Sequence, residues 1–227
     1  MIKLSDINRI FQVGDQAVHA LKDINLHIDD GDYISIMGPS GSGKSTLLQL
    51  LGLLDQPSSG RYELNGTSVT DLSDEQQSQV RGNQIGFVFQ FIHLLPRLTA
   101  AENIALPMML AGIPEKERKQ RTSTILDELG LSDRAHHKPE QLSGGQRQRV
   151  AIGRATIMQP SILLADEPTG NLDSHSGQEV IEILETLNRK NITLIVVTHD
   201  QDLGDRAHRK IRFVDGEIVY DSKQVQT

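Results

Sequence analysis

One short stretch constrains this chain more than any other. Residues 38–46 read Gly-Pro-Ser-Gly-Ser-Gly-Lys-Ser-Thr, directly after a β-rich apolar run at 33–37 and directly before a helical pattern, LLQLLGLL, at 47–54. Every fixed position of G-x-x-x-x-G-K-[ST] is present. Glycines at 38, 41 and 43 let the backbone curl until successive N–H groups point inward, and the following helix adds the positive end of its dipole. The product is a cage for the phosphate tail of a nucleotide, formed by Gly38, Pro39, Ser40, Gly41, Ser42, Gly43, Lys44, Ser45 and Thr46. Lys44 would reach the β and γ phosphates, and Ser45 would offer its hydroxyl to Mg²⁺. A ligand-free glycine turn is the competing reading, and the flanking strand and helix argue against it.

A phosphate loop alone leaves kinases, GTPases, helicases and transport ATPases open. Residues 162–167, Ile-Leu-Leu-Ala-Asp-Glu, narrow the choice. An apolar strand ending in two acids can deliver Asp166 to the Mg²⁺ shell and turn Glu167 toward an attacking water. No Asn-Lys-x-Asp guanine reader occurs in the chain. Between the two motifs lies Leu142-Ser143-Gly144-Gly145-Gln146, leading into a helix that bears Arg147, Arg149 and Arg154. Serine and paired glycines at a helix start make a second anion-binding terminus, one more than a single phosphate site needs.

Strands are expected at 2–7, 23–28, 33–37, 61–64, 85–90, 162–165 and 193–198, with a final hairpin, 211–214 and 218–220, turning at Asp215-Gly216. Helices are expected at 115–129, 142–158 and 174–189. Alternating strands and helices imply an α/β fold with a largely parallel sheet, into which the helical middle, roughly 90–140, reads as an inserted subdomain. With 30 Asp+Glu against 23 Lys+Arg, the charge balance argues against a general nucleic-acid binder. The absence of cysteine excludes a disulfide framework, a thiolate zinc site and a cysteine nucleophile. The longest apolar run, 104–113, falls short of the roughly 20 residues a membrane span needs and carries Pro107 and Gly112. The amino terminus lacks the basic-then-apolar order of a secretory signal. His136-His137 gains no ligand role, because adjacent helical residues do not share a face.

LSGGQ ahead of ILLADE, with GPSGSGKST upstream, resembles the motif set of ATP-binding-cassette (ABC) ATPases, and the likeness runs through the whole chain. It implies a single cassette with a P-loop NTPase core at about 1–89 and 160–227, an antiparallel β part near the N-terminus, and a helical subdomain at about 90–159. It implies ATP and Mg²⁺ as cofactors and ATP hydrolysis as the activity, with Glu167, His199, Lys44 and Gln90 in the catalytic set and Ser45, Gln90 and Asp166 around the metal. Phe11 stands where the family places an aromatic that stacks on adenine, generally Tyr, and Phe keeps the ring. The resemblance further implies a head-to-tail homodimer, each ATP lying between the phosphate loop of one protomer and Ser143, Gly144, Gly145 and Gln146 of the other, with Asn171 and Asp173 at the interface.

The segments QFIHLLPRLTAAENIALP, HHKPEQLSGGQRQRVAIGRA, LADEPTGNLD and VVTHD resemble the branch containing the lipoprotein-release, macrolide-export and cell-division ATPases. That implies an integral-membrane permease of the few-helix type with a large extracytoplasmic domain as partner, export as the purpose, and a peripheral position on the cytoplasmic face of the inner membrane. Residues 90–96 fit the lipoprotein-release type more closely, whereas 173–177 lean toward the macrolide-export type. Phe91 to Pro96, an apolar loop beyond Gln90, is where the family docks the permease. The alternative is a soluble cassette of translation or DNA repair; those usually carry two cassettes or a long coiled coil, and this chain has neither. A nucleotide-binding regulator without turnover is disfavoured by the intact Lys44, Asp166, Glu167 and His199.

Overall fold

The computed structural model describes residues 1–223. Strands β1 (Ile2–Val13) and β2 (Gln16–Ile28) form a long antiparallel hairpin. At its base Ile2, Leu4, Ile7, Leu21, Ile24, Leu26 and Ile28 are buried, which is the alternation the sequence displays. Toward its tip the residues are exposed or half-buried, so no alternation marks them, and the expected strands at 2–7 and 23–28 were too short. Strands β4 (Ser59–Leu64) and β5 (Thr67–Ser68) complete an antiparallel sheet of order β2-β1-β4-β5.

The second sheet has the order β10-β9-β3-β8-β7-β6, from β3 (Tyr33–Met37), β6 (Ile85–Phe89), β7 (Ile162–Asp166), β8 (Thr193–Val197), β9 (Arg209–Val214) and β10 (Glu217–Asp221). All its pairings are parallel except β9 with β10. The central strands are buried on both faces, which explains their unbroken apolar sequences. Ile34, Ile36, Leu164, Ile195 and Val197 face a core shared with the antiparallel sheet and helix α1 (Lys44–Leu51). Tyr33, Leu163, Ala165, Leu194 and Val196 face the opposite core, where Val180 and Leu184 of α6 (Ser174–Arg189) and Ile152 of α5 (Gly144–Thr156) pack. A third apolar cluster joins α3 (Ala100–Leu110), α4 (Glu115–Glu128) and α5 through Ile104, Met108, Leu126 and Val150.

Four helices depart from the sequence expectation. Helix α1 begins at Lys44 rather than at 47, because Gly43 already stands at its N-terminal boundary, and Gly52 closes it. Helix α2 (Asp74–Gln84) lies in a stretch that reads only as polar, since Gln77 is its single buried residue. Helix α3 contains Pro107 and is apolar on more than one side. A short α7 (Gln201–Asp205), capped by Asp200, follows β8.

Parallel strands bring their carboxyl ends to one edge of a sheet, where α/β proteins place their sites. Here that edge gathers the loop after β3, Gln90 after β6, Asp166 and Glu167 at the end of β7, and Thr198 and His199 after β8.

Candidate active site

A cavity of about 770 Å³ opens at this edge, bounded by the phosphate loop, Gln90, Asp166, Glu167 and His199. The loop is wedged against its surroundings. A Cβ on Gly38 would lie 1.9 Å from the carbonyl oxygen of Phe213, and one on Gly43, at φ 101°, would lie 2.3 Å from that of Ala20. Lys44 Nζ donates to the carbonyl oxygens of Gly38 (2.9 Å) and Pro39 (2.7 Å), so the ammonium lies over the loop itself.

Burial pushes the Asp166 carboxyl above its usual range, the neighbouring Glu167 charge adds to this, and the Ser45 hydroxyl and Lys44 ammonium oppose it. Ser45 and Asp166, two of the three metal-shell candidates, line the same cavity. With the Gln90 amide lining the same cavity, the donors are all oxygen and few, which suits Mg²⁺ completed by phosphate oxygens and water. Among the described residues no group of three His, Asp or Glu side chains is placed to hold a metal ion. His137 instead meets Arg134.

Glu167 sits at φ 47°, a left-handed backbone that its neighbours must hold in place. Its N–H donates to Val197 O at 2.9 Å, stitching the end of β7 to β8. Its Oε1 accepts from the His199 N–H (3.0 Å) and lies 2.7 Å from His199 Nδ1. An ionised carboxylate only accepts, so Nδ1 carries the proton in this contact. Its Oε2 accepts from the Thr198 hydroxyl at 3.1 Å. Asn171 Nδ2 donates to Gln90 O at 3.2 Å, tying the loop after β7 to the loop after β6.

The other expected residues lie apart. Ser143 caps α5, its hydroxyl accepting from Gln146 N while Gln146 Oε1 accepts from Ser143 N. Gly145 lies against α6, where a Cβ would come within 2.8 Å of the Ser176 Cβ. Neither these residues nor Gly144 borders the cavity. Asp173 caps α6 through Ser176 N, and that contact holds its carboxyl below the usual range. Phe11 pairs with Val18, which does border the cavity, but Phe11 itself does not. One face of its ring carries the Arg9 guanidinium at 4.3 Å, and Asp55 grips that guanidinium with two hydrogen bonds.

Several lining residues escaped the sequence reading. Val18, His19, Ala20 and Lys22 come from the exposed part of β2, where no pattern marks them. Asp215 and Gly216, legible only as a turn, reach the loop because Gly216 N donates to Ser42 O at 2.9 Å.

A glycine loop between the central parallel strand β3 and a helix, with two carboxylates at the end of β7, separated from β3 by β8 alone, defines a phosphate-loop nucleotide-hydrolysing protein. The comparisons with known proteins narrow the class. Residues 21–170 match the ABC transporter family model. An ABC transporter ATP-binding protein of Thermotoga maritima is 49% identical over 96% of this chain and 93% of its own. The macrolide export ATP-binding/permease protein MacB of Bdellovibrio bacteriovorus is 50% identical over 98% of this chain, which spans only 34% of that protein's length. Among solved structures, the dimeric post-hydrolysis state of the cassette MJ0796 bound to ADP and Pi superposes with a TM-score of 0.90 at 42% identity, covering 98% of both chains. This chain belongs to the ABC transporter family and is an ATP-binding, ATP-hydrolysing cassette.

Proposed function

We propose that the chain powers export through a separate permease by hydrolysing MgATP in an ATP-closed, head-to-tail homodimer. Convergence of the phosphate loop, Asp166, Glu167 and His199 on one cavity carries the catalytic half of this reading. The loop amides and Lys44 bind the phosphates and neutralise charge developing on the γ-phosphoryl group. Bound Mg²⁺, held by Ser45, Gln90 and Asp166, would add Lewis-acid polarisation. Glu167 orients the attacking water or takes its proton while the water oxygen bonds to phosphorus and the bridging oxygen leaves with ADP. His199 and Gln90 position these groups, and Phe11 offers its ring to adenine from the rim.

The dimer half rests on an absence within the chain: Ser143, Gly144, Gly145 and Gln146 do not border the cavity. In a head-to-tail pair the capped start of α5 would face the partner's phosphate loop, with Asn171 and Asp173 between. The dimeric MJ0796 cassette supports this assembly. The core at 1–89 and 160–227 would hold the nucleotide, while the lobe at 90–159 would carry the signature helix and contact the permease. Exposed Phe91 and Leu95 beyond β6, and Met109 and Leu110 on α3, supply apolar surface for such a partner. No described helix is long and apolar enough to cross a membrane. A few-helix permease with a large extracytoplasmic domain, a peripheral place on the cytoplasmic face of the inner membrane, and a lipoprotein, peptide or macrolide cargo follow from the branch resemblance and from MacB. Nucleic acid has no place in this scheme.

Phosphate release and light scattering test it together. The wild-type chain should release phosphate from MgATP. Glu167→Gln should bind MgATP, lose turnover and sediment the equilibrium toward dimer. A Gln variant with normal turnover removes Glu167 from its role; one that stays monomeric in saturating MgATP removes the sandwich. A charge introduced in the apolar loop, as in Phe91→Glu, should uncouple transport while sparing basal hydrolysis, and copurification with a membrane protein separates this reading from a soluble cassette.

A further inference from the structure

Glu167 receives unequal treatment at its two carboxylate oxygens. Oε1 takes two contacts from His199, its N–H at 3.0 Å and Nδ1 at 2.7 Å. Oε2 takes one, from the Thr198 hydroxyl at 3.1 Å. Each carboxylate oxygen has two acceptor sites, so Oε1 is saturated and Oε2 keeps one free. The oxygen able to engage a water is therefore the one that Thr198 holds.

The Thr198 hydroxyl is itself fixed in direction. It is fully buried, its oxygen accepts from Asp200 N at 3.1 Å, and its backbone N–H donates to Ile36 O at 3.2 Å. With the Asp200 amide on the oxygen, the hydroxyl hydrogen is left for Glu167. Glu167 occupies a left-handed backbone at φ 47°, and with Oε1 held by His199 Thr198 supplies the hydrogen bond to the other carboxylate oxygen.

We propose that Thr198 is a positioning residue for hydrolysis, its hydroxyl holding Oε2 of Glu167 toward the attacking water. The inference rests on the assignment of Glu167 given above. Thr198→Val keeps the shape and removes the hydroxyl; Thr198→Ser keeps the hydroxyl; Thr198→Ala serves as a second hydroxyl-free variant should Val fold poorly. In the full chain, loss of the hydroxyl should lower kcat about tenfold or more, the scale of losing one hydrogen bond to a charged group. KM for ATP and MgADP affinity by calorimetry should stay within about twofold, and Thr198→Ser should restore kcat to within about threefold. Wild-type kcat in the Val and Ala variants, a Ser variant as slow as Val, or nucleotide affinity falling in step with kcat would each overturn the proposal. Should Glu167→Gln itself turn over normally, the assignment of Glu167 fails; should it be inactive while Thr198→Val is normal, only the Thr198 inference fails.

Discussion

Two glycines of the phosphate loop face different constraints. Gly43 combines φ 101° with backbone at 2.3 Å from any added Cβ, whereas Gly41, at φ 78°, has open space around it. Backbone oxygens cannot move aside as a flexible side chain can. Gly43→Ala should therefore displace the loop from Ala20, destabilising the chain by about 2–3 kcal/mol and weakening MgATP binding at least about tenfold. Gly41→Ala should cost only about 1 kcal/mol of left-handed strain, with a smaller effect on affinity. Urea titration and calorimetry with MgATP check both, and equal behaviour of the two variants would contradict the close-approach argument. At this scale the sequence was informative where a residue type is chemically obligatory, as at Lys44 or Glu167. It was silent on Thr198, on His19 and on the reach of the Gly216 turn to the phosphate loop, because their relation to the site exists only once separate strands share one sheet edge.

Elements were legible to the degree that burial imposes a period. Strands β3, β7 and β8 are buried on both faces and read as apolar runs; α6 buries one stripe and reads as a helix. Helix α2 buries almost nothing, and α3 lacks a clean stripe, so both escaped. Their starts were nevertheless written in the sequence as capping boxes, Ser73 with Gln76 and Thr99 with Glu102. Thr99→Ala should lower stability by about 1 kcal/mol, measured by urea titration, since it leaves the Glu102 amide without its acceptor. A larger electrostatic element closes the sheet edge. Arg209 of β9 makes two hydrogen bonds to buried Asp221 of β10, at 2.9 and 2.6 Å, and a third to His27 O of β2. Burial disfavours the Asp221 charge, but the Arg209 guanidinium and the Lys223 amide outweigh it and hold the carboxyl below the usual carboxylate range. Its folded pKa lies below its unfolded one, so the stability it lends is complete above the unfolded value and fades as pH falls through the folded one. Asp221→Asn should cost about 3 kcal/mol at pH about 7 by leaving Arg209 without its counter-charge. The gap to wild type should narrow as pH falls through the folded carboxyl's titration, below the usual carboxylate range; a gap independent of pH would assign the loss to packing instead.

At the scale of the whole molecule, the proposed head-to-tail dimer would leave each chain with half of each site it needs. Its cavity is lined by the phosphate loop and carboxylates, and Ser143, Gly144, Gly145 and Gln146 at the start of α5 do not border it. Two differently broken chains should therefore repair each other. Ser143→Arg leaves the phosphate loop intact but blocks the surface offered to a partner. Lys44→Ala disables the phosphate loop but leaves the α5 start intact. Each alone should be almost inactive, for every homodimer then has both composite sites damaged. A mixed dimer has one site in which the intact loop of the Ser143→Arg chain meets the intact Ser143 of the Lys44→Ala chain, and a second site carrying both lesions. Random pairing in an equal mixture makes half the dimers mixed, so turnover should recover to roughly a quarter of wild type if the sites act independently. Phosphate release measured across mixing ratios should peak near equality. A flat, inactive response would mean either that each chain completes its own site or that one intact site cannot fire alone. The two are separated by the Ser143→Arg chain in a Glu167→Gln background: it should bind MgATP normally and remain monomeric by light scattering. If that chain dimerises as readily as Glu167→Gln alone, Ser143 does not face a partner's nucleotide, and the shared-site architecture is wrong.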